Sequence, residues 1–354
     1  MTDLDVAIVG GGPVGLLLAC LLQRDGVDAV VIERNEGRPG SRAIGIHAPG
    51  LAALDAAGVG PAVRAEALAV SGGTAWCRGR ELASLPLHST VLTLPQQRTE
   101  ELLRQQLTTR TLRLGTELHE FADEGSRVRL RVGDAEATAR VLVVADGVRS
   151  GIRAQLGIAW VPQRGGGQYL MTDAPADHED AAAHLHLEPA GVVESFPLPG
   201  RMRRWVALAP PGADLGEIVA AATGVTLPDS PVSAFTARQH LAARLVQGRA
   251  VLLGDAAHEL SPIGGQGMNL GWLGALRLAP AIVEALRTGT PDFGDYGYRM
   301  RRAALIAQRR ARFNMAMGAP RSSAALTLRN TAVRTLGTRP LRAALLGAFT
   351  MRGL

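Results

Sequence analysis

Residues 4–9, Leu-Asp-Val-Ala-Ile-Val, form a nearly continuous apolar run that ends on Gly10-Gly11-Gly12-Pro13-Val14-Gly15. Such a run reads as a strand buried on both faces, as in a parallel sheet. A helical stretch follows from Pro13 to about Asp25, and a second apolar run, Ala29 to Ile32, ends at Glu33. Together these segments make a βαβ unit with a G-x-G-x-x-G turn between strand and helix. Each glycine has a distinct use there. The first permits a tight turn, the second lets backbone approach a pyrophosphate, and the third allows close helix–strand packing. The helix N-terminus presents unpaired N–H groups and partial positive charge to phosphates. Glu33 is placed to accept hydrogen bonds from a ribose diol. The unit points to a bound dinucleotide held by Gly10, Gly12, Pro13, Val14, Gly15 and Glu33, with Arg34 beside them.

At 354 residues the chain can hold a full nucleotide-binding domain and a smaller second one. Further apolar strands are expected at Val141–Ala145 and Ala250–Leu253, with a helix over Glu100–Leu107. From Gly165 to Arg244 the pattern alternates, with Pro197, Pro199, Pro210 and Pro211 and a strand pair around Val192–Phe196 and Trp205–Ala209. The expected fold is α/β: a Rossmann-like domain with a parallel sheet, an inserted antiparallel-sheet substrate domain and a helical C-terminal region. The first is assigned residues 1–70, 95–164 and 245–295, the second 71–94 and 165–244, and the third 296–354, with helices interrupted at Pro320 and Pro340.

Composition excludes some chemistry. The chain has no lysine, so all 38 basic residues are arginines and no side-chain Schiff base or amine base is available. Cys20 and Cys77 form neither a metal-binding spacing nor a disulfide framework, and Cys20, in an apolar helical stretch, reads as a buried thiol. No apolar run approaches the ~18 residues needed to span a bilayer. The N-terminus carries Asp3 and Asp5 in place of a basic leader, so a reducing cytoplasm is expected. Twelve arginines and no Asp or Glu fall within 296–354. This asymmetry suits an acidic carrier protein or an anionic membrane surface, but first a helical cap whose arginines pair with an acidic body. No nucleic-acid partner is expected.

Two later motifs narrow the choice of dinucleotide. Val143-Val144-Ala145-Asp146-Gly147-Val148-Arg149-Ser150 lies mid-chain. Gly254-Asp255-Ala256-Ala257-His258 follows, and then Pro262-Ile263-Gly264-Gly265-Gln266-Gly267-Met268-Asn269. With the glycine turn, in this order, they resemble the p-hydroxybenzoate hydroxylase-like (class A) FAD-dependent monooxygenases, which include aromatic polyketide hydroxylases. The resemblance implies that Asp255 binds the FAD ribityl chain. It places the Pro262–Asn269 loop along the isoalloxazine, with Pro262 on the oxygen-reacting side. Gly265, Gly267, Met268 and Asn269 join the cofactor contacts, the N–H groups near Gly267 and Met268 facing the flavin pyrimidine, where reduction gathers negative charge. It also implies cofactor contacts for Arg42 and Gln96, and a segment at Asp146 that serves both FAD and NADPH, with Arg149 and Arg153 as phosphate partners.

The implied reaction is an NAD(P)H-dependent monooxygenation of an aromatic or polyketide-type substrate by O₂ through a flavin C4a-hydroperoxide, with NADPH or NADH as electron donor. Epoxidation, Baeyer–Villiger oxygenation, a flavin reductase or dehydrogenase without oxygen insertion, and a non-catalytic FAD-binding protein remain open. A flavin halogenase does not fit, because it relies on a lysine and Trp76, Trp160, Trp205 and Trp272 are all isolated. His47 and Tyr169 are conceivable bases for a phenol, though neither is singled out. His258 reads as a structural, hydrogen-bonded histidine, and His184 and His186 as one exposed face of a strand rather than a metal site.

Overall fold

β1 (Thr2–Val9) runs between β2 (Ala29–Ile32) and the strand Ala135–Val144, parallel to both. Its Val6, Ala7 and Ile8 are fully buried, as the unbroken apolar run requires. In this computed structural model the described residues are 2–37, 43–87, 91–176, 179–338, 341–342, 351 and 353, so Arg42 and Pro340 lie outside them. The parallel part of the first sheet follows the order 250–252, 135–144, 2–9, 29–32, 112–113. An antiparallel flap, Leu118–Asp123 and Val128–Val132, extends it from the strand Ala135–Val144.

α1 (Pro13–Arg24) is apolar around its whole circumference, from Gly15 to Leu22, and is correspondingly buried on all sides. It packs against the long helix Gly267–Thr288. At their crossing a Cβ on Gly271 would lie 2.5 Å from Val14 Cγ2, and Trp272 Nε1 donates to Pro13 O at 3.0 Å. The segment after the last motif is thus fixed against the first one.

The second sheet has the order 233–237, 167–175, 202–208, 191–198, 182–188, 72–77, 80–86. It is antiparallel except where Ala182–Glu188 runs parallel to Gly72–Cys77, a pairing that joins segments a hundred residues apart. One face, with Ala174, Val193, Trp205 and Ala207, is covered by the helix Leu215–Thr223. The opposite face looks toward the first domain. Thr93 Oγ1 ties the two parts together by donating to Pro197 O at 2.7 Å.

The C-terminal helices Tyr296–Gly318 and Ser323–Leu336, separated at Pro320, pack against that second face through Met315 and Leu326. A Cβ on Gly318 would sit 2.7 Å from Val192 Cγ1, so helix and sheet meet backbone to side chain. The helices cover this face; Arg299 pairs with Asp295, and other arginines of the region reach backbone acceptors. Arg301 donates to the Ala242 carbonyl and Arg329 to the Leu187 carbonyl. Arginine serves here because its five N–H donors reach backbone acceptors while its stem packs against apolar surface. No helix among the described residues is long and apolar enough to cross a membrane.

Candidate active site

A cavity of about 610 Å³ extends from the first glycine turn to the inner face of the second sheet. At one end it is bounded by Gly12, Pro13 and Val14, by Ala145 and Gly147, and by Gly254 and Asp255. Gly10 has φ +113°, and a Cβ there would lie 2.2 Å from Ala145 O. A Cβ on Gly15 would lie 2.1 Å from Gly10 O. The first and third glycines therefore serve backbone packing, and the second opens the turn. Gly12 is the N-cap of α1 and makes no side-chain cap, which leaves first-turn N–H groups available to an anion at the cavity wall.

Glu33 is buried, and its two oxygens accept from Gly11 N at 2.7 Å and Asn35 N at 2.9 Å. Asn35 Nδ2 also donates to Glu33 Oε1 at 2.9 Å, so the carboxylate braces the turn. Gly254, at φ +61°, brings backbone against Val14, and the Asp255 side chain beside it is exposed at the cavity. These features fit the pyrophosphate and sugar parts of FAD. Arg34, by contrast, is exposed and pairs loosely with Glu117 at 3.8 Å, away from the cavity lining.

The loop after the third motif crosses the middle of the cavity. Gly264 and Gly265 adopt φ +89° and +62°, which only glycine tolerates without strain, and Pro262 projects outward beside them. Gly267 and Met268 line the cavity as the first residues of the helix Gly267–Thr288, whose N-cap Gln266 makes no side-chain cap to it. The positive end of that helix is therefore aimed at the cavity.

The Asn269 side chain is turned away from the cavity lining. It is fully buried and does not line the cavity. Its Oδ1 accepts from His47 N at 2.8 Å, and its Nδ2 donates to Gly45 O at 2.8 Å and Gly265 O at 3.0 Å. It clamps the strand Gly45–His47 to the loop. Gln96 lines the cavity and donates to Glu100 Oε1 at 2.8 Å.

The Asp146 segment meets the cavity through Ala145 and Gly147. The Asp146 carboxyl turns toward Ser150 and the start of the helix Gly151–Gln155, and burial holds its pKa above the usual carboxylate value. Arg153 is taken up structurally: it donates to Ala256 O and Val148 O at 3.0 and 2.9 Å and lies 3.7 Å over the Trp160 ring. Arg149 is exposed. His258 is buried as expected, but its Nδ1 has no hydrogen-bond partner, and burial lowers its pKa to about 4. His184 is half-buried rather than exposed, held between Asp180 Oδ2 at 2.6 Å and Trp76 Nε1 at 3.1 Å. Among the described residues no group of His, Cys, Asp and Glu could hold a metal ion.

Of the two candidate bases, His47 lines the cavity, and burial lowers its pKa to about 4 against a hydrogen bond with Gly264. Tyr169 stacks on Phe235 with centroids 5.6 Å apart, and burial raises its phenol pKa.

The far wall of the cavity is the second sheet, which supplies Leu185, Val192, Glu194, Phe196, Arg204 and Val206. Arg204 grips Asp173 through two hydrogen bonds of 2.6 and 2.7 Å. Glu194 is only 5% exposed, and burial pushes its pKa up to about 7. Its strand is buried from Gly191 to Ser195, so no in–out alternation marks which of its side chains face the cavity.

The consequence for stability has a definite sign. A carboxyl whose pKa is raised by folding holds its proton more tightly in the native state. Stability is greatest below the unfolded pKa near 4.5 and falls as pH rises toward 7. Glu194→Gln is therefore expected to be more stable than the parent at pH 8 by about 3 kcal/mol. That gain should vanish below about pH 4.5, as read by urea unfolding across the two pH values.

Comparison with known proteins agrees with this geometry. The family described as "FAD binding domain" matches residues 3–212 and 212–312. A 6-methylpretetramide 4-monooxygenase of Streptomyces rimosus is 35% identical over 312 residues, 80% of this chain and 56% of the relative. A 12-dehydrotetracycline 5-monooxygenase/anhydrotetracycline 6-monooxygenase of Streptomyces rimosus subsp. rimosus is 33% identical over 330 residues, 82% of this chain and 65% of the relative. The chain thus spans less than two thirds of either. The crystal structure of the p-nitrophenol 4-monooxygenase PnpA from Pseudomonas putida DLL-E4 superposes with a TM-score of 0.90 at 23% identity, covering 100% of this chain and 99% of that one. The chain belongs to the p-hydroxybenzoate hydroxylase-like, class A family of FAD-dependent monooxygenases.

Proposed function

We propose that the protein is an NAD(P)H-consuming monooxygenase that inserts one atom of O₂ into an aromatic or polyketide-type substrate. The observation that carries this reading is the continuity of one cavity from the glycine cradle, past Pro262–Met268, to an apolar sheet face. Bound FAD would supply the two-electron redox chemistry that couples NAD(P)H oxidation to activation of O₂. Gly12, Pro13, Val14, Gly15 and Glu33 would hold its pyrophosphate and ribose end, with Asp255 at the ribityl chain and Gln96 against the same cofactor. The N–H groups of Gly267 and Met268 would stabilise negative charge that gathers on the pyrimidine edge. Leu185, Val192, Phe196 and Val206 would orient the substrate and keep water from the reacting atoms.

The first test is the visible spectrum of the FAD-loaded protein before and after anaerobic NADPH, repeated with hydroxylated aromatic ligands. The expected result is an oxidised flavin band that bleaches, followed by incorporation of oxygen-18 from ¹⁸O₂ into product. Bleaching without oxygen-18 in any product would favour a reductase or dehydrogenase. A flavin that neither NADPH nor NADH reduces, with or without ligand, would overturn the proposal.

A further inference from the structure

A buried acid with no partner, set in an apolar wall, calls for an explanation. Glu194 sits on the strand Gly191–Leu198 with Val192 and Phe196 on either side along the same face. Its cross-strand neighbours are Leu185 on one strand and Val206 on the other. All four line the same cavity, and among the described residues the Glu194 carboxylate has no hydrogen-bond or ion-pair partner. A polar group buried without a partner costs stability, and leucine or glutamine would fill this place with less loss.

We propose that Glu194 accepts the proton of a ring hydroxyl on the substrate, so that the cavity selects hydroxylated arenes and holds them with that hydroxyl against the Gly191–Leu198 strand. This deepens the oxygenase reading and rests on it for its catalytic use. In the step, the substrate O–H bond breaks and its electron pair stays on the ring oxygen. The proton forms an O–H bond to a carboxylate oxygen of Glu194. Negative charge passes from the carboxylate to the ring oxygen, and no oxidant or reductant takes part. A phenolate ring is more electron-rich at its carbons, which is what attack on an electrophilic oxygen requires.

The surrounding groups support this assignment. Arg204, a diagonal neighbour on the same face, is engaged by Asp173 and does not hold Glu194 ionised by direct pairing. Tyr169, two strands away on the Asp173 strand, packs on Phe235. Arg238 is exposed where it lines the cavity, while Asp255, Glu259 and His47 belong to its other walls. With burial as the cause, the Glu194 pKa of about 7 matches proton transfer near neutrality, whereas His47 at about 4 is a much weaker acceptor.

The test uses the FAD-loaded protein and 2-hydroxyanthraquinone, a dye whose visible spectrum differs between its neutral and ionised forms. Its ionisation midpoint is measured free and bound between pH 5.5 and 8.5. Bound to the parent protein, the dye is expected to ionise at least one pH unit lower than when free, with affinity rising between pH 6 and 8. In Glu194→Gln the bound dye should stay neutral and bind at least tenfold more weakly, at unchanged flavin content. Glu194→Asp should restore part of the ionised signal, which guards against a folding defect peculiar to the glutamine variant. Equal affinity and the same dye spectrum in parent and Gln variant would overturn the proposal. So would a parent protein that binds the dye only in its neutral form, or not at all at saturation. Failure of NADPH reduction or of oxygen-18 incorporation would sink the oxygenase reading and leave the dye result standing.

Discussion

Gly10→Ala is expected to purify without flavin and to take up FAD at least a hundredfold more weakly than the parent. The alanine would sit at φ +113°, a conformation that costs an L-residue about 1–3 kcal/mol. Its Cβ would also fall 2.2 Å from the Ala145 carbonyl oxygen. Neither partner can easily withdraw. Gly10 N donates to Ile32 O at 2.9 Å, and Ala145 N donates to Val9 O at 2.8 Å, so both belong to the central parallel pairing. The turn would have to move, carrying the open N-terminus of α1 out of line with the cavity. The measurement is the flavin-to-protein absorbance ratio after reconstitution, with affinity read from quenching of FAD fluorescence. An alanine variant that keeps parental flavin content would show that the cofactor does not depend on this turn.

Asn269→Ala should produce the largest stability loss of any single change at the loop. It removes one acceptor and two donor contacts, leaving His47 N–H, Gly45 O and Gly265 O without their buried partner. Each orphaned group costs about 1–3 kcal/mol, so a total near 4 kcal/mol is expected. That corresponds to a fall in Tm of roughly 10 °C for a chain of this size class. Flavin retention should weaken in parallel, because the loop Pro262–Gln266 would lose its tie to the Gly45–His47 strand. Thermal unfolding of the FAD-loaded and FAD-free forms separates the two effects. A loss confined to the FAD-loaded form would mean that Asn269 contacts the cofactor directly instead of clamping the loop.

These two residues also divide what the sequence reveals from what it hides. The role of Gly10 is legible because its causes are local. An apolar run, a glycine at the strand end and a helix start lie within a dozen consecutive residues, and only glycine meets the backbone requirement at that place. The same holds for Gly254, Gly264 and Gly265, whose positive φ values make their motifs readable as fixed backbone shapes. The order of the three motifs then suffices for the cofactor and the family.

Asn269 is adjacent to Met268 in the chain, and the motif places both at the flavin. The structure separates them, since successive helical residues point about 100° apart: Met268 lines the cavity and Asn269 faces the Gly45–His47 strand. Which of the two side chains faces the cavity is decided by what packs behind the helix. Glu194 was hidden for a related reason. Its strand is covered on one face by the helix Leu215–Thr223 and on the other by the cavity wall, so both sets of side chains are buried and the period of two disappears.

By itself, then, the sequence determined the βαβ cradle, the FAD-binding family and the glycine-shaped loops, because each follows from backbone geometry encoded in a few contiguous residues. Only the tertiary structure decided that the Ala182–Glu188 strand pairs in parallel with Gly72–Cys77. It also decided that Arg329 ties the C-terminal helices to the second sheet through the Leu187 carbonyl, and that an acid with no partner faces the cavity. Those outcomes depend on pairings between segments tens to hundreds of residues apart, where burial and register choose the exposed face and residue type alone does not.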